Sequence, residues 1–190
     1  ELSVLPNMTD SHKRDRAIDE LPVSGAGKTI TTVDPRFVPA EAAEIHLKDN
    51  ASFRVKMIDC VGFLIDGALG TTDGEETRMV RTPWFDHDIP LETAADIGTK
   101  KVIGEHSTVG LVVTTDGSFT DLERRAYEEA EERAAKELIS LNKPFVIILN
   151  TVKPESRETN ELRSSLSKKY SVPVISLNAE TMTERDVNQI

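Results

Sequence analysis

Asp59 and Gly62 close an apolar, β-like run, Met57-Ile58-Asp59-Cys60-Val61-Gly62. A strand ending in Asp-x-x-Gly can offer a carboxylate to a phosphate-bound magnesium ion and a glycine amide to the terminal phosphate. Alone the pattern is weak, because Asp and Gly are common wherever strands leave a sheet. Its setting strengthens it. The run before it is apolar, a long loop follows, and a later buried run closes in Thr114-Thr115-Asp116. Ligands in open α/β sheets bind at the carboxyl ends of the strands.

Two further sets could complete such a site. Thr31 and Thr32 lie upstream, where threonine hydroxyls can finish magnesium coordination and sense the terminal phosphate, as a switch I loop does. A threonine pair also simply suits an extended segment. Asn150-Thr151-Val152-Lys153 leaves the apolar run 145–149 at the place where guanine-nucleotide domains carry Asn-Lys-x-Asp. The closing Asp of that motif accepts hydrogen bonds from guanine. Lys153 has only donors, so guanine specificity is not expected.

Gly25-Ala26-Gly27-Lys28-Thr29 looks like a phosphate-cradling P-loop but fails as one. Pro22 stands where the first glycine belongs, a polar stretch replaces the buried strand, and Ile30-Thr31-Thr32-Val33-Asp34-Pro35 does not open a helix. The chain begins at Glu1 without a methionine, as a fragment would, and reads as a nucleotidase domain missing its front end. His12, His46, His87 and His106 lack metal-ligand spacing with one another or with Cys60. Asp86-His87-Asp88 reads as a solvated acidic loop. No Ser-His-Asp or Cys-His arrangement has supporting context.

The elements that must position these residues alternate. Residues 1–43 read as a switch I-like loop region, mostly loop with a short helix near 10–20, and 44–190 as sheet and helices. Strands are expected at 44–47 and 53–58 about the turn residues Lys48-Asp49-Asn50. A Gly-, Thr- and Asp-rich loop covers 62–90, pinned to the body by Trp84 and Phe85. A helix follows at 91–104, and Val109-Gly110-Leu111-Val112-Val113-Thr114 reads as a buried strand. Thr120-x-x-Glu123 reads as a capping box opening a helix with Leu122, Ala126, Ala130, Ala134 and Leu138 on its apolar face. The charges from Glu123 to Glu137 read as a solvated face with pairs such as Glu129 and Arg133. Then come a strand at 145–149, a helix at 156–170 and a strand at 172–177. Apolar strands with helices between them imply an α/β fold whose sheet is mostly parallel and covered on both faces.

A chain of 190 residues suits one domain, 1–190, with a single core. The net charge of −10 argues against a nucleic-acid surface, which needs clustered Lys and Arg. One cysteine leaves no internal disulfide framework, and no apolar run reaches the ~20 residues of a membrane-spanning helix.

Several unusual strings, in order, resemble the stage IV sporulation protein A family, morphogenetic ATPases of endospore-forming Firmicutes. They include Asp19-Glu20-Leu21-Pro22, Ala26-Gly27-Lys28-Thr29-Ile30, Phe37-Val38-Pro39, Asp59-Cys60-Val61-Gly62, Thr82-Pro83-Trp84 and Ile97-Gly98-Thr99. Glu105-His106-Ser107-Thr108, Val113-Thr114-Thr115-Asp116-Gly117, Glu129-Ala130-Glu131-Glu132-Arg133 and Lys143-Pro144-Phe145 continue the series. The resemblance implies a P-loop NTPase three-layer sandwich, similar to translation-factor GTPases but using ATP and Mg2+. It implies Asp59 as the Walker B carboxylate and Thr31 and Thr32 as γ-phosphate sensors, with Thr32 and Asp59 at the metal. Gly62, Asn150 and Lys153 are the candidate nucleotide-binding residues. It also implies self-polymerisation into the spore coat basement layer, in the mother-cell cytoplasm at the forespore outer membrane. The implied partners are other coat morphogenetic proteins and, through domains outside this chain, a small amphipathic membrane peptide. Without its P-loop the chain alone is expected to be inactive, and a non-enzymatic assembly module is the alternative reading.

Overall fold

The computed structural model describes residues 36–46, 52–68, 70–73, 76–82, 84–187 and 190. Its centre is a three-stranded parallel sheet of β7 (Gly110–Thr115), β8 (Phe145–Asn150) and β9 (Val174–Leu177), in the order β7-β8-β9. The register aligns Thr115 with Asn150 and Asn150 with Leu177, so the three strands finish side by side. Two crossover helices, α2 (Arg125–Ser140) and α3 (Arg157–Tyr170), connect them. Val112, Ile147 and Leu149 share one sheet face and form a single core with Ala135 and Leu138 of α2 and Leu166 and Tyr170 of α3. Apolar strands alternate with helices as the sequence predicts. Among the described residues, however, the cover expected on both faces is complete on only one. Leu111 and Val113, on the opposite face of β7, are 52% and 68% exposed, so β7 is not the fully buried strand its apolar run suggests.

Ahead of the sheet stands an antiparallel hairpin, β1 (Arg36–His46) with β2 (Ser52–Asp59). β1 begins at Arg36 and so takes in residues read from sequence as loop. Pro39 hides it, since a proline cannot donate to a ladder. The register shifts between Val38 and Ala43, and this irregularity accommodates the interruption. Four two-residue strands cross the long loop: β3 (Thr72–Asp73), β4 (Glu76–Thr77), β5 (Met79–Val80) and β6 (Ile89–Pro90). Phe85 packs beside Ile89, Leu91 and Ala94, and Lys101 Nζ lies 5.9 Å from the centre of the Trp84 ring. The two aromatics therefore do pin the loop.

Helix α1 (Leu91–Lys101) buries Leu91, Ala94, Ala95, Gly98 and Thr99, the i, i+3, i+4, i+7, i+8 stripe of a helix lying on a core. It runs on into a π-helical turn, Val102–His106. There Lys143 Nζ donates to the carbonyls of Ile103, of Gly104 at 2.8 Å and of Ser107 at 2.7 Å, satisfying acceptors that the helix end leaves open.

Helix α2 departs from its sequence reading at three points. It begins at Arg125, because Thr120 spends its hydroxyl elsewhere: it accepts from the Leu122 amide at 3.2 Å and bonds the Tyr127 hydroxyl at 2.6 Å. Its buried face comprises Glu131, Ala135 and Leu138, while Ala130 and Ala134 are only partly buried. Arg133 pairs with Asp96 of α1, not with Glu129, and its guanidinium lies 4.3 Å from the centre of the Phe63 ring. Asn142, at φ 52°, closes the helix with the Schellman pair of bonds from its own amide to Ile139 and from Lys143 to Leu138.

Glu131, 4% exposed, holds a charge inside the protein. Its carboxylate takes the Arg124 guanidinium and, at 2.9 Å, the Tyr170 hydroxyl. Arg124 also donates to Thr114 Oγ1 at 2.8 Å and to the Thr115 carbonyl at 3.3 Å. Burial raises the Tyr170 phenol above its ordinary range, Lys169 opposes that, and Glu131 adds to it. Removing one partner of such a pair costs more than the pair contributes, because the other charge stays buried. Glu131→Ala is therefore expected to lower stability by about 3 kcal/mol, and Tyr170→Phe by about 1 kcal/mol. Urea unfolding of both variants checks this, and equal losses would refute the buried-charge account.

Candidate functional site at the carboxyl edge of the sheet

Asp59 is the last residue of β2, and its side chain is exposed. Gly62 follows at φ 81°, a left-handed conformation that side chains disfavour, and a Cβ built there would meet nothing within 4 Å. The glycine is thus required by the turn and leaves open space on its own face. Between them Cys60 is half-buried; burial raises its thiol above the ordinary range, partly offset by the Gly62 amide and the Thr99 hydroxyl. The next residue, Phe63, is 7% exposed and joins the main core with Ile103 and Val112 under the Arg133 guanidinium. This anchor fixes where the Asp-x-x-Gly turn leaves the body. Further on, a Cβ at Gly67 would come within 3.2 Å of Leu122 Cδ2, so the segment reaches the loop that follows β7.

The loops after β7, β8 and β9 are tied to one another. Asp116, just past β7, accepts at Oδ1 from the Ser118 amide at 3.0 Å and the Ser118 hydroxyl at 2.6 Å. At Oδ2 it accepts from the Thr151 hydroxyl at 2.6 Å. Ser118 Oγ in turn receives the Val152 amide at 3.0 Å, and Thr151 Oγ1 receives the Lys153 amide at 3.2 Å. Burial works against ionisation of Asp116, but the bonds from Ser118 and Thr151 outweigh it and hold the carboxyl below its ordinary range. Gly117, at φ 89°, permits the turn, since a Cβ there would lie 2.8 Å from the Leu122 carbonyl oxygen. Asn150 Oδ1 accepts from the Ala179 amide at 2.9 Å, joining the end of β8 to the loop after β9.

Lys153 is held by its backbone. Its carbonyl accepts from Thr159 Oγ1 at 2.9 Å and from the Ser156 amide at 3.1 Å, while its side chain is exposed. Ser156 caps α3 by accepting from the Thr159 amide at 3.1 Å. A ladder of side-chain bonds therefore fixes the backbone of 150–153 and leaves Lys153 and Val152, 44% exposed, facing outward.

Asn150 and Lys153 thus share one edge, Lys153 tied through Thr151 to Asp116 and Asn150 to the Ala179 amide. Asp59 and Gly62 connect to the same body through Phe63. Thr31, Thr32 and the segment 25–29 lie outside the described residues. In the acidic loop Asp86 bonds His87 Nδ1 at 3.1 Å and Asp88 pairs with Arg81 at 3.5 Å, and no cluster of three metal-ligating side chains occurs among the described residues. Ser118 and Thr151 are the members of this edge that the sequence pattern did not single out. Their one local signal is Asp116-Gly117-Ser118, which reads as an Asx turn.

A magnesium ion bound together with a nucleotide needs few protein ligands, commonly one or two carboxylates besides the phosphates. An exposed carboxylate at a strand end, followed by a glycine with open space before it, fits that requirement.

Residues 1–190 match the family described as stage IV sporulation protein A, ATPase domain. The chain is 51% identical over 190 residues to stage IV sporulation protein A of Clostridioides difficile (strain 630), covering 100% of this chain and 39% of that protein. It is 48% identical over 187 residues to the Bacillus subtilis (strain 168) protein of the same name, covering 98% of this chain and 38% of that protein. With the Bacillus anthracis protein of that name it shares 47% identity over 190 residues, covering 100% of this chain and 39% of that protein. The chain spans about two-fifths of the length of the curated relatives it matches. On a match that runs its whole length, it belongs to the stage IV sporulation protein A family, as that family's ATPase domain.

Proposed function

We propose that this domain binds and hydrolyses ATP with Mg2+ between the Asp59–Gly62 turn that ends β2 and the carboxyl edge of the β7-β8-β9 sheet, within a P-loop NTPase sandwich of the translation-factor type. The observation that carries the reading is the exposed carboxylate of Asp59, at the end of β2 and three residues before the open, left-handed Gly62. Bound there, magnesium would neutralise charge developing on the transferred phosphoryl group. Asp59 holds the metal side through water, Gly62 brings its backbone amide to the γ-phosphate, and Thr31 and Thr32 sense that phosphate, with Thr32 the second metal ligand. Asn150 and Lys153 face the base. No carboxylate closes the 150–153 loop, so guanine loses the acceptor that would read its ring N–H and amine.

Hydrolysis releases the loops around 25–35 and 62–80, a local change that exposes assembly surfaces. In the intact protein this cycle drives self-assembly into the spore coat basement layer, on the mother-cell face of the forespore outer membrane. Other coat morphogenetic proteins join that layer, and a small amphipathic membrane peptide is met by domains outside this chain. Support for the setting comes from the family and from relatives named as a sporulation protein.

In the intact protein, Asp59→Ala is expected to lower magnesium-dependent ATP turnover roughly 100-fold or more, the usual loss when one preorganised contact to developing charge is removed. Equal rates would overturn the role given to Asp59. In competition for the wild-type site, ATP is expected to outcompete GTP by at least about tenfold. Preference for GTP would instead identify an acceptor for guanine that the 150–153 loop does not supply.

A further inference from the structure

Residues 151–153, on the proposed base side of the site, are held in place by one carboxylate, that of Asp116. Asp116 lies 35 residues before Thr151 in sequence and on a different strand end, yet its carboxylate organises residues 151–153. One oxygen holds Thr151 directly at 2.6 Å. The other holds Ser118 at 2.6 Å, and Ser118 receives the Val152 amide. Thr151 passes the constraint to the Lys153 amide. Two successive backbone amides, 152 and 153, are thus tied through two hydroxyls to a single carboxylate.

Thr151 is fully buried, at 0% exposure, and its hydroxyl both donates and accepts. Valine would match its shape but supply neither bond. Val152 and Lys153 stand on the outward side of the same turn, so an apolar surface and a lysine stem are held at fixed height beside the ends of β7 and β9. Such a surface suits the flat face of a purine, and the ladder behind it makes no use of base-specific hydrogen bonds. Among the described residues, Asp116, Ser118 and Thr151 bond one another and the 152 and 153 amides, and none of these bonds involves Asp59 or Gly62.

We propose that Asp116, acting through Ser118 and Thr151, is a positioning residue for nucleotide-base binding. It presets the 150–153 loop so that base affinity, rather than the chemical step, depends on the clamp. This rests on the nucleotide-binding reading of the same edge. Order imposed before binding is entropy not lost on binding, so releasing the loop weakens affinity without altering the reacting groups.

The test is steady-state ATP hydrolysis by the intact protein with Thr151→Val and, independently, Ser118→Ala, whose site is exposed. Inhibition by inorganic tripolyphosphate, which carries no base, is measured alongside. Thr151→Val is expected to raise KM for ATP about tenfold, the effect of losing one charge-assisted hydrogen bond, with kcat within about twofold. Tripolyphosphate inhibition is expected to stay unchanged, and Thr151→Ser to restore the KM. Ser118→Ala is expected to move KM in the same direction by a smaller factor, and it carries the test if Thr151→Val does not fold. An unchanged KM for ATP in the folded variants overturns the proposal. So does a parallel weakening of ATP and tripolyphosphate, which signals general damage to the domain. A wild-type protein inhibited by tripolyphosphate but indifferent to the base overturns base recognition here while leaving phosphate chemistry at Asp59 standing. A wild-type protein that neither hydrolyses ATP nor responds to tripolyphosphate overturns the nucleotide reading itself.

Discussion

The parallel register of β7, β8 and β9 is the constraint on which the rest depends. It sets Thr115 against Asn150 and Asn150 against Leu177, so three loops must leave the sheet at neighbouring points. Burial enforces it. Val112, Ile147 and Leu149 pack on the same side against α2 and α3, and a slip of one residue would turn each of them away from that core. The loops that follow have no freedom to separate, and their polar side chains find one another: Asp116 with Ser118 and Thr151, Asn150 with the Ala179 amide. An apolar requirement on one face of the sheet thus yields a polar, preorganised edge.

Beneath that edge the structure accepts a costly element. Glu131 is buried in the middle of α2, and its charge is tolerated because Arg124 and Tyr170 complete it. Arg124 also reaches Thr114 and the Thr115 carbonyl, so the same ion pair binds the end of β7 to the helix and to α3. A hydrophobic replacement of similar volume could match its stability. It would not grip a strand end from two directions. Phe63 plays the corresponding part for β2, where burial of one aromatic ring next to the Asp-x-x-Gly turn couples an otherwise separate hairpin to the main core.

What could be read from sequence follows from the range of the forces involved. The strands of the central sheet are legible because each is a short apolar run, and Asp59 with Gly62 because motif and turn are contiguous. The end of β8 at Asn150 is legible for the same reason, since the apolar run 145–149 stops there. The start of β1 was obscured by Pro39, whose effect on the ladder is absorbed in an irregular register set by the partner strand. The inward turn of α2 was not legible, since burying Glu131 makes sense only with Arg124, seven residues away, and Tyr170, 39 away. Thr120 misled for a similar reason: its hydroxyl had a local alternative in Leu122 and Tyr127 that no spacing rule weighs. The bond from Thr151 to Asp116 spans 35 residues and exists only once two strand ends are brought together.

The central proposal is a nucleotide that bridges the Asp59–Gly62 turn and the loop after β8, which Asn150 ties to the loop after β9. Hydrogen–deuterium exchange of the intact protein, with and without magnesium and a non-hydrolysable ATP analogue, tests it most directly. The account predicts slowed exchange at the amides of 60–63, 151–153 and 178–180 together on addition of the analogue. Unchanged exchange in these segments, with protection confined to other parts of the chain, would contradict it.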